Sequence, residues 1–239
     1  MIWSTVLRPS RFCASACVWH SRYDVYNYDM GTRLSDEALD VLFRDARTFR
    51  TWLDKPVTDE ILREIYELMR WGPTSMNCCP VRILFLRAKE SKERLRPALA
   101  PGNVESAMNA PVTAIVATDM QFYEHLPKLV PYNPQAKNLF ADSPELAEAT
   151  AKRNGTLQGA YFMLAARALG LDCGPMSGFD NAKVDREFFG AGLERDGVCQ
   201  EYSPGRLESN FLCNLGYGDP SGLKPRLPRL DFEEASKLL

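Results

Sequence analysis

The chain has 239 residues, 45 % of them hydrophobic and 25 % charged, with a formal net charge of −2. That is the composition of an ordinary globular protein, and it excludes a polybasic nucleic-acid surface or a polybasic membrane anchor. No apolar run reaches the roughly 18 residues of a membrane-spanning helix; the seven cysteines, an odd number with no C-x-x-C pair, argue against a disulfide framework or zinc site and for free thiols in a reducing cytoplasm.

Residues 1–29 differ from the rest: no acid precedes Asp24, whereas Arg8, Arg11 and Arg22 are basic. This fits either a transit peptide or an extension read from an over-early start codon. The missing amphipathic stripe and the ordinary sequence after Met30 favour the second. One domain is expected over 30–239. Ser35 caps a first helix with Asp36 and Glu37 in its opening turn, running into Ala46-Arg47-Thr48-Phe49-Arg50-Thr51-Trp52. Thr58 caps a second helix, whose Leu62, Ile65, Tyr66 and Met69 form one apolar face. Gly72 and Pro73 end it. The loop Pro73-Thr74-Ser75-Met76-Asn77-Cys78-Cys79-Pro80 offers three short polar side chains between that helix and a strand, Val81–Leu86.

Ser91 to Leu99 reads as a charged helix, and 111–117 as a strand buried on both faces. Residues 121–145, with four prolines and weak periodicity, read as an irregular lid. A long helix follows from about Leu146 to Leu169, apolar nearly all round in its second half. A short strand at Asp172–Cys173 leads to Gly174-Pro175-Met176-Ser177-Gly178-Phe179-Asp180. A helix then runs through Val184 and Phe188, 190–207 is a loop, and 211–215 is a strand ending in Gly216-Tyr217-Gly218. The tail carries Arg226 and Arg229, and Asp231 caps a last short helix. Alternating helices and strands imply an α+β domain with a central sheet covered by helices.

Arg47, Arg50, Arg226 and Arg229 are candidate phosphate partners, because a guanidinium fork matches phosphate oxygens. Thr74, Ser75 and Asn77 can bond the edge of a heterocycle, and the Gly174–Gly178 turn lets backbone N–H groups approach a flat ring. There is no Walker loop or G-x-G-x-x-G. Of the two histidines only His125 lies in the domain, so histidine-based catalysis would rest on it.

These motifs, in this order, resemble the FMN-dependent nitroreductases over roughly residues 32–239. Arg47-Thr48-Phe49-Arg50 is similar to their Arg-Ser-x-Arg opening, and Pro73-Thr74-Ser75-Met76-Asn77 to their Pro-Ser-Ser-x-Asn loop. Trp71–Cys78, Gly174–Asp180 and Leu227–Leu230 resemble the malonic semialdehyde reductase branch of the Rut pyrimidine-degradation pathway. The resemblance implies an intertwined homodimer with a central mixed β-sheet and FMN at the subunit interface, NADPH or NADH as hydride donor, and a small anionic aldehyde as substrate. It implies that Arg47, Thr48, Arg50 and Arg229, or else Arg226, meet the phosphate and ribityl end of FMN. Pro73, Thr74, Ser75 and Asn77 would approach from the other subunit, and Pro175, Met176, Ser177 and Gly178 would face the ring. No residue is expected to act as a catalyst in its own right, since the flavin N5 carries the hydride. Two features depart from the pattern. Cys79-Pro80-Val81 stands where many members have Gln-Pro-Trp, and 190–207 is longer than the branch needs. Lys128 and Lys137 are the candidates for reading a substrate carboxylate.

Overall fold

The computed structural model describes residues 31–190 and 205–239. The chain divides into two units, Met1–Leu34 and Ser35–Leu239. The expected extension over 1–29 and most of the expected loop over 190–207 lie outside the described residues.

Local sequence sets the first elements. The Ser35 hydroxyl accepts the Ala38 N–H at 3.2 Å and starts α1 (Asp36–Leu39), which widens into a π turn over Asp40–Arg44. Thr58 likewise caps α2 (Asp59–Met69). Leu62, Ile65 and Met69 of α2 are buried, while Tyr66, at the margin of that face, stays half-exposed. Next come β1 (Val81–Leu86), α3 (Lys89–Leu95), α4 (Pro101–Asn109) and β2 (Val112–Asp119). Every residue of β2 is buried, as its continuous apolar run predicts.

The segment over 121–145 is not the irregular lid its prolines suggest. It forms a 3₁₀ turn at Phe122–His125, α5 (Leu126–Leu129) and α6 (Ala136–Ala141). Phe122, Leu126, Val130, Ala136 and Phe140 pack with Cys78 into their own buried cluster. Pro127 falls in the first turn of α5 and Pro144 in that of α7 (Pro144–Ala168), where a missing N–H costs nothing.

Helix α7 is central, but it is buried along one stripe and not all round. Ala147, Ala151, Asn154, Gln158, Phe162 and Ala165 face inward, and Ala160 is exposed. Two glycines let it lie close to the sheet. A Cβ on Gly155 would sit 2.4 Å from Thr118 Oγ1, and one on Gly159 2.4 Å from the Phe211 ring. The remaining elements are β3 (Asp172–Met176), α8 (Asn181–Phe189), β4 (Leu207–Gly216) and α9 (Phe232–Ala235). Both late strands outrun their expected bounds, because ladder bonds extend pairing past the apolar residues.

The four strands take the order β1-β2-β4-β3, and all neighbours pair antiparallel. Among the described residues the parallel component of the expected mixed sheet is one bridge, Thr48 to Cys173, on the outer edge of β3. At the far end of β2 the wholly buried Asp119 is held by Arg82 at 2.7 Å and Arg206 at 2.8 Å.

Candidate functional site

The free edge of β3 organises the site. The segment after α1 runs along it: Thr48 bridges Cys173, and the Phe49 N–H donates to the Cys173 carbonyl at 3.1 Å. The chain after β4 returns beside the same segment. Leu53 N–H donates to Tyr217 O and Asp219 N–H to Thr51 O, and Trp52 bridges Gly218. Gly218 is required by this packing, since a Cβ there would lie 2.1 Å from the Phe49 ring. Arg47 donates to the Lys224 carbonyl, and Arg226 donates to the Ala46 carbonyl at 3.2 Å. Arg47 and Arg226 are thereby gathered, whereas Arg229 bonds the Leu227 and Pro228 carbonyls of its own tail.

Beyond the edge lies a cleft of about 490 Å³ lined by Arg50, Asn103, Met163, Pro175–Gly178 and Phe211. The β3–α8 turn forms one wall and is fixed from behind. The Gly178 carbonyl accepts from the Ala100 N–H at 3.0 Å and from Asn103 Nδ2 at 2.9 Å. The N–H groups of Ser177 and Gly178 have no acceptor among the described residues. Ser177 is exposed and Gly178 partly buried, and a partly buried N–H without a partner calls for water or a ligand. Asn103 is a site residue that sequence reasoning missed. Its only local signal is a polar residue in the first turn of α4, which reads as a helix start.

Pro73, Thr74, Ser75 and Asn77 do not line this cleft. Their loop packs on other faces of the molecule. Ser75 N–H donates to Asn154 Oδ1 at 2.8 Å, Asn77 Nδ2 to Leu129 O at 3.0 Å, and the Tyr161 hydroxyl to Pro73 O at 3.1 Å. Thr74 Oγ1 accepts the Cys79 N–H at 3.3 Å. Met76, Asn77 and Cys79 all have positive φ, at 52°, 52° and 40°. Left-handed backbone suits asparagine but strains methionine and cysteine, and such strain concentrates at functional loops. Cys78 is buried, which pushes its thiol up to about 11 and keeps it protonated.

A larger groove of about 970 Å³ runs between α2 and the outer edge of β1, and Cys79, Arg82, His125 and Lys128 line one part of it. His125 lies 3.6 Å from Asp119, and burial followed by the neighbouring Arg82 lowers its pKa. It is neutral at pH 7 and belongs to an ion-pair cluster, not to a catalytic pair. Of the two candidate lysines, Lys137 is paired with Glu124 at 2.6 Å, and Lys128 faces the groove. Among the described residues no cluster of His, Cys, Asp or Glu could hold a metal ion. No described helix is long and apolar enough to cross a membrane.

An antiparallel sheet packed against helices, with a cleft beside the edge of β3, is the frame on which the candidate site stands. The Nitroreductase family model matches residues 43–195, and the chain belongs to that family. Solved structures agree on the fold. The Bacillus subtilis protein ydfN, named as a nitroreductase, superposes with a TM-score of 0.70 at 22 % identity, over 83 % of this chain and 97 % of that one. An Exiguobacterium sibiricum protein, named as a nitroreductase and solved in complex with FMN, gives a TM-score of 0.67 at 18 % identity, over 87 % of this chain and all of that one. A Staphylococcus epidermidis protein named as an NAD(P)H:FMN oxidoreductase gives 0.69 at 20 % identity, over 87 % and 98 %.

Proposed function

We propose that the chain is an FMN-dependent NAD(P)H oxidoreductase, active as a homodimer, that reduces malonic semialdehyde (3-oxopropanoate) to 3-hydroxypropanoate. The observation that carries the flavin reading is the pair of unpartnered N–H groups at Ser177 and Gly178, two residues that line a cleft together with Arg50. These residues fit FMN. Arg47, Arg50 and Arg226 would hold the phosphate with Thr48 beside it. Pro175, Met176, Ser177 and Gly178 would lie along the ring, with the two N–H groups at its polar edge. FMN, when bound, supplies hydride acceptance and donation at N5.

The chain's own residues bind, orient and exclude water. The Asn103 amide fixes the turn that presents the N–H groups. Met163, Met176 and Phe211 keep the cleft wall apolar. The loop Pro73, Thr74, Ser75, Asn77 would complete the site from the second subunit, since it stands apart from the cleft of its own chain. The Ser75 hydroxyl is one source of the proton that the substrate oxygen needs. Large apolar side chains in the open support a dimer: Trp71 and Leu230 are each 70 % exposed and Leu227 is 74 % exposed.

The apolar cleft wall also suits flat neutral acceptors, which is the second reading: a general nitroreductase or quinone reductase. The visible spectrum of the purified protein reports bound flavin directly. A steady-state comparison of malonic semialdehyde, acetaldehyde, nitrofurazone and a quinone then decides the acceptor. Malonic semialdehyde should exceed acetaldehyde at least tenfold in kcat/KM, since one charge-assisted contact is worth about 1.4 kcal/mol or more. Equal rates on both aldehydes would remove the basis of the semialdehyde assignment, and faster nitrofurazone turnover would select the second reading.

A further inference from the structure

Away from the β3 cleft, the chain carries a buried cation without a carboxylate partner. Lys92, on α3, is 5 % exposed. Its Nζ donates to the carbonyl of Ala110, the residue that ends α4, so it caps the negative end of that helix. A carbonyl oxygen orients an ammonium but does not neutralise it. Burial accordingly pushes the Lys92 pKa down to about 8.

Lys92 lines a cavity of about 350 Å³, whose polar walls are Arg87, Lys89, Lys92, Glu93, Arg96 and Asn109. Four of these residues are cations. Glu93 pairs with Arg96 at 2.6 Å, and Asp59 pairs with Arg87. Two positive charges are left over, on Lys89 and Lys92, in a chain whose net charge is −2. A phosphate monoester carries about −1.5 to −2 at neutral pH, so one such group matches the surplus.

A second cavity of about 560 Å³ shares Arg87 and Asn109 with the first. Its walls include Trp52, Pro56, Val57 and Pro111, which are flat or compact and apolar, and one carboxylate, Asp54. Flat apolar walls suit a heterocyclic base, and a carboxylate suits a ribose diol. Neither cavity has a wall residue in common with the β3 cleft.

We propose that this pair of cavities binds a nucleoside monophosphate, with its phosphate among Lys89, Lys92 and Arg96 and its base and sugar along Trp52, Asp54 and Pro111. The phosphate supplies the counter-charge that Lys92 lacks. The nucleoside fills a space that free phosphate would leave empty.

The test is calorimetric titration of the full-length protein, as purified with its cofactor, using AMP, inorganic phosphate and adenosine. AMP should saturate at one per chain. Phosphate should bind at least tenfold more weakly, and adenosine should give no saturable heat. Lys89 is exposed, so Lys89→Ala should fold normally and weaken AMP about tenfold or more, while Asp54→Asn should weaken AMP and leave phosphate unchanged. Near pH 8.5, AMP binding should take up protons as Lys92 gains its counter-ion, which titrations in two buffers of different ionisation heat will read. No saturable AMP binding, or AMP affinity indifferent to Lys89→Ala, overturns the site. So does AMP binding lost in Arg47→Ala, which would put the ligand at the β3 edge. Phosphate binding as tightly as AMP overturns the nucleoside half of the assignment.

Discussion

The side-chain oxygen of Asn154 accepts the N–H of Ser75 at 2.8 Å, and Asn154 is wholly buried in α7. One polar atom in the central helix thus pins the loop that carries three positive-φ residues. Asn154→Ala should leave the Ser75 N–H without its acceptor and cost roughly 1–3 kcal/mol. The shift in urea midpoint measures this. Turnover should fall further than stability does, because the strained loop is free to relax; an unchanged midpoint would show that the bond contributes nothing.

Gly218 and Gly102 make opposite predictions. Gly218→Ala drives a Cβ to 2.1 Å from the ring of Phe49, itself a core residue. Overpacking of this kind costs typically 1–3 kcal/mol. Flavin content should fall with it, because Phe49 adjoins Arg50. A Cβ on Gly102, in the first turn of α4, meets nothing within 4 Å. Gly102→Ala should stabilise by about 0.4–1 kcal/mol through the unfolded state. Melting temperatures of the two variants check both.

Lys92 gives a pH signature. Its folded pKa, about 8, lies below the ordinary 10.5. Between those values the unfolded chain binds more protons than the folded one, so this residue's contribution rises with pH across pH 8–10.5. Below pH 8 the penalty is complete, on the order of 3 kcal/mol by the size of the shift. The melting temperature of the parent should therefore gain on that of Lys92→Met between pH 8 and 10. Parallel curves would mean that the amine titrates normally.

Lys128 and Lys137 can be separated. Lys137 already has a carboxylate partner in Glu124, whereas Lys128 lies beside the groove near Cys79. If one of them reads the substrate carboxylate it is Lys128. Lys128→Ala should lower kcat/KM for malonic semialdehyde about tenfold and spare acetaldehyde, with Lys137→Ala close to the parent on both. The reverse pattern would reassign the contact.

Much of the frame was legible because it rests on local chemistry. Ser35, Thr58 and Asp231 cap helices as their residue types require, and the apolar run of β2 is buried throughout. The arginine segment and the Gly174–Gly178 turn could be read as neighbours: Thr48 bridges Cys173 of β3, and Arg50 lines one cleft with Pro175–Gly178, while Arg47 and Arg226 bond the Lys224 and Ala46 carbonyls. What was illegible depends on long-range contact. Nothing local says that Pro127 and Pro144 sit in helical first turns. Nothing near Asn103 announces that it holds Gly178, 75 residues away. Nor does the sequence reveal that the polar atoms of Ser75 and Asn77 bond to Asn154 and Leu129, since those acceptors come from distant parts of the chain.

The exposed C-terminal tail has a practical side. Leu227, Leu230, Phe232, Leu238 and Leu239 all face solvent. A lone chain therefore trails a greasy arm, and its handling will depend on concentration: dilute preparations should adsorb to surfaces and lose recovery, while concentrated ones keep it. An affinity tag fused after Leu239 would load that arm with foreign sequence at the point where it has most to cover.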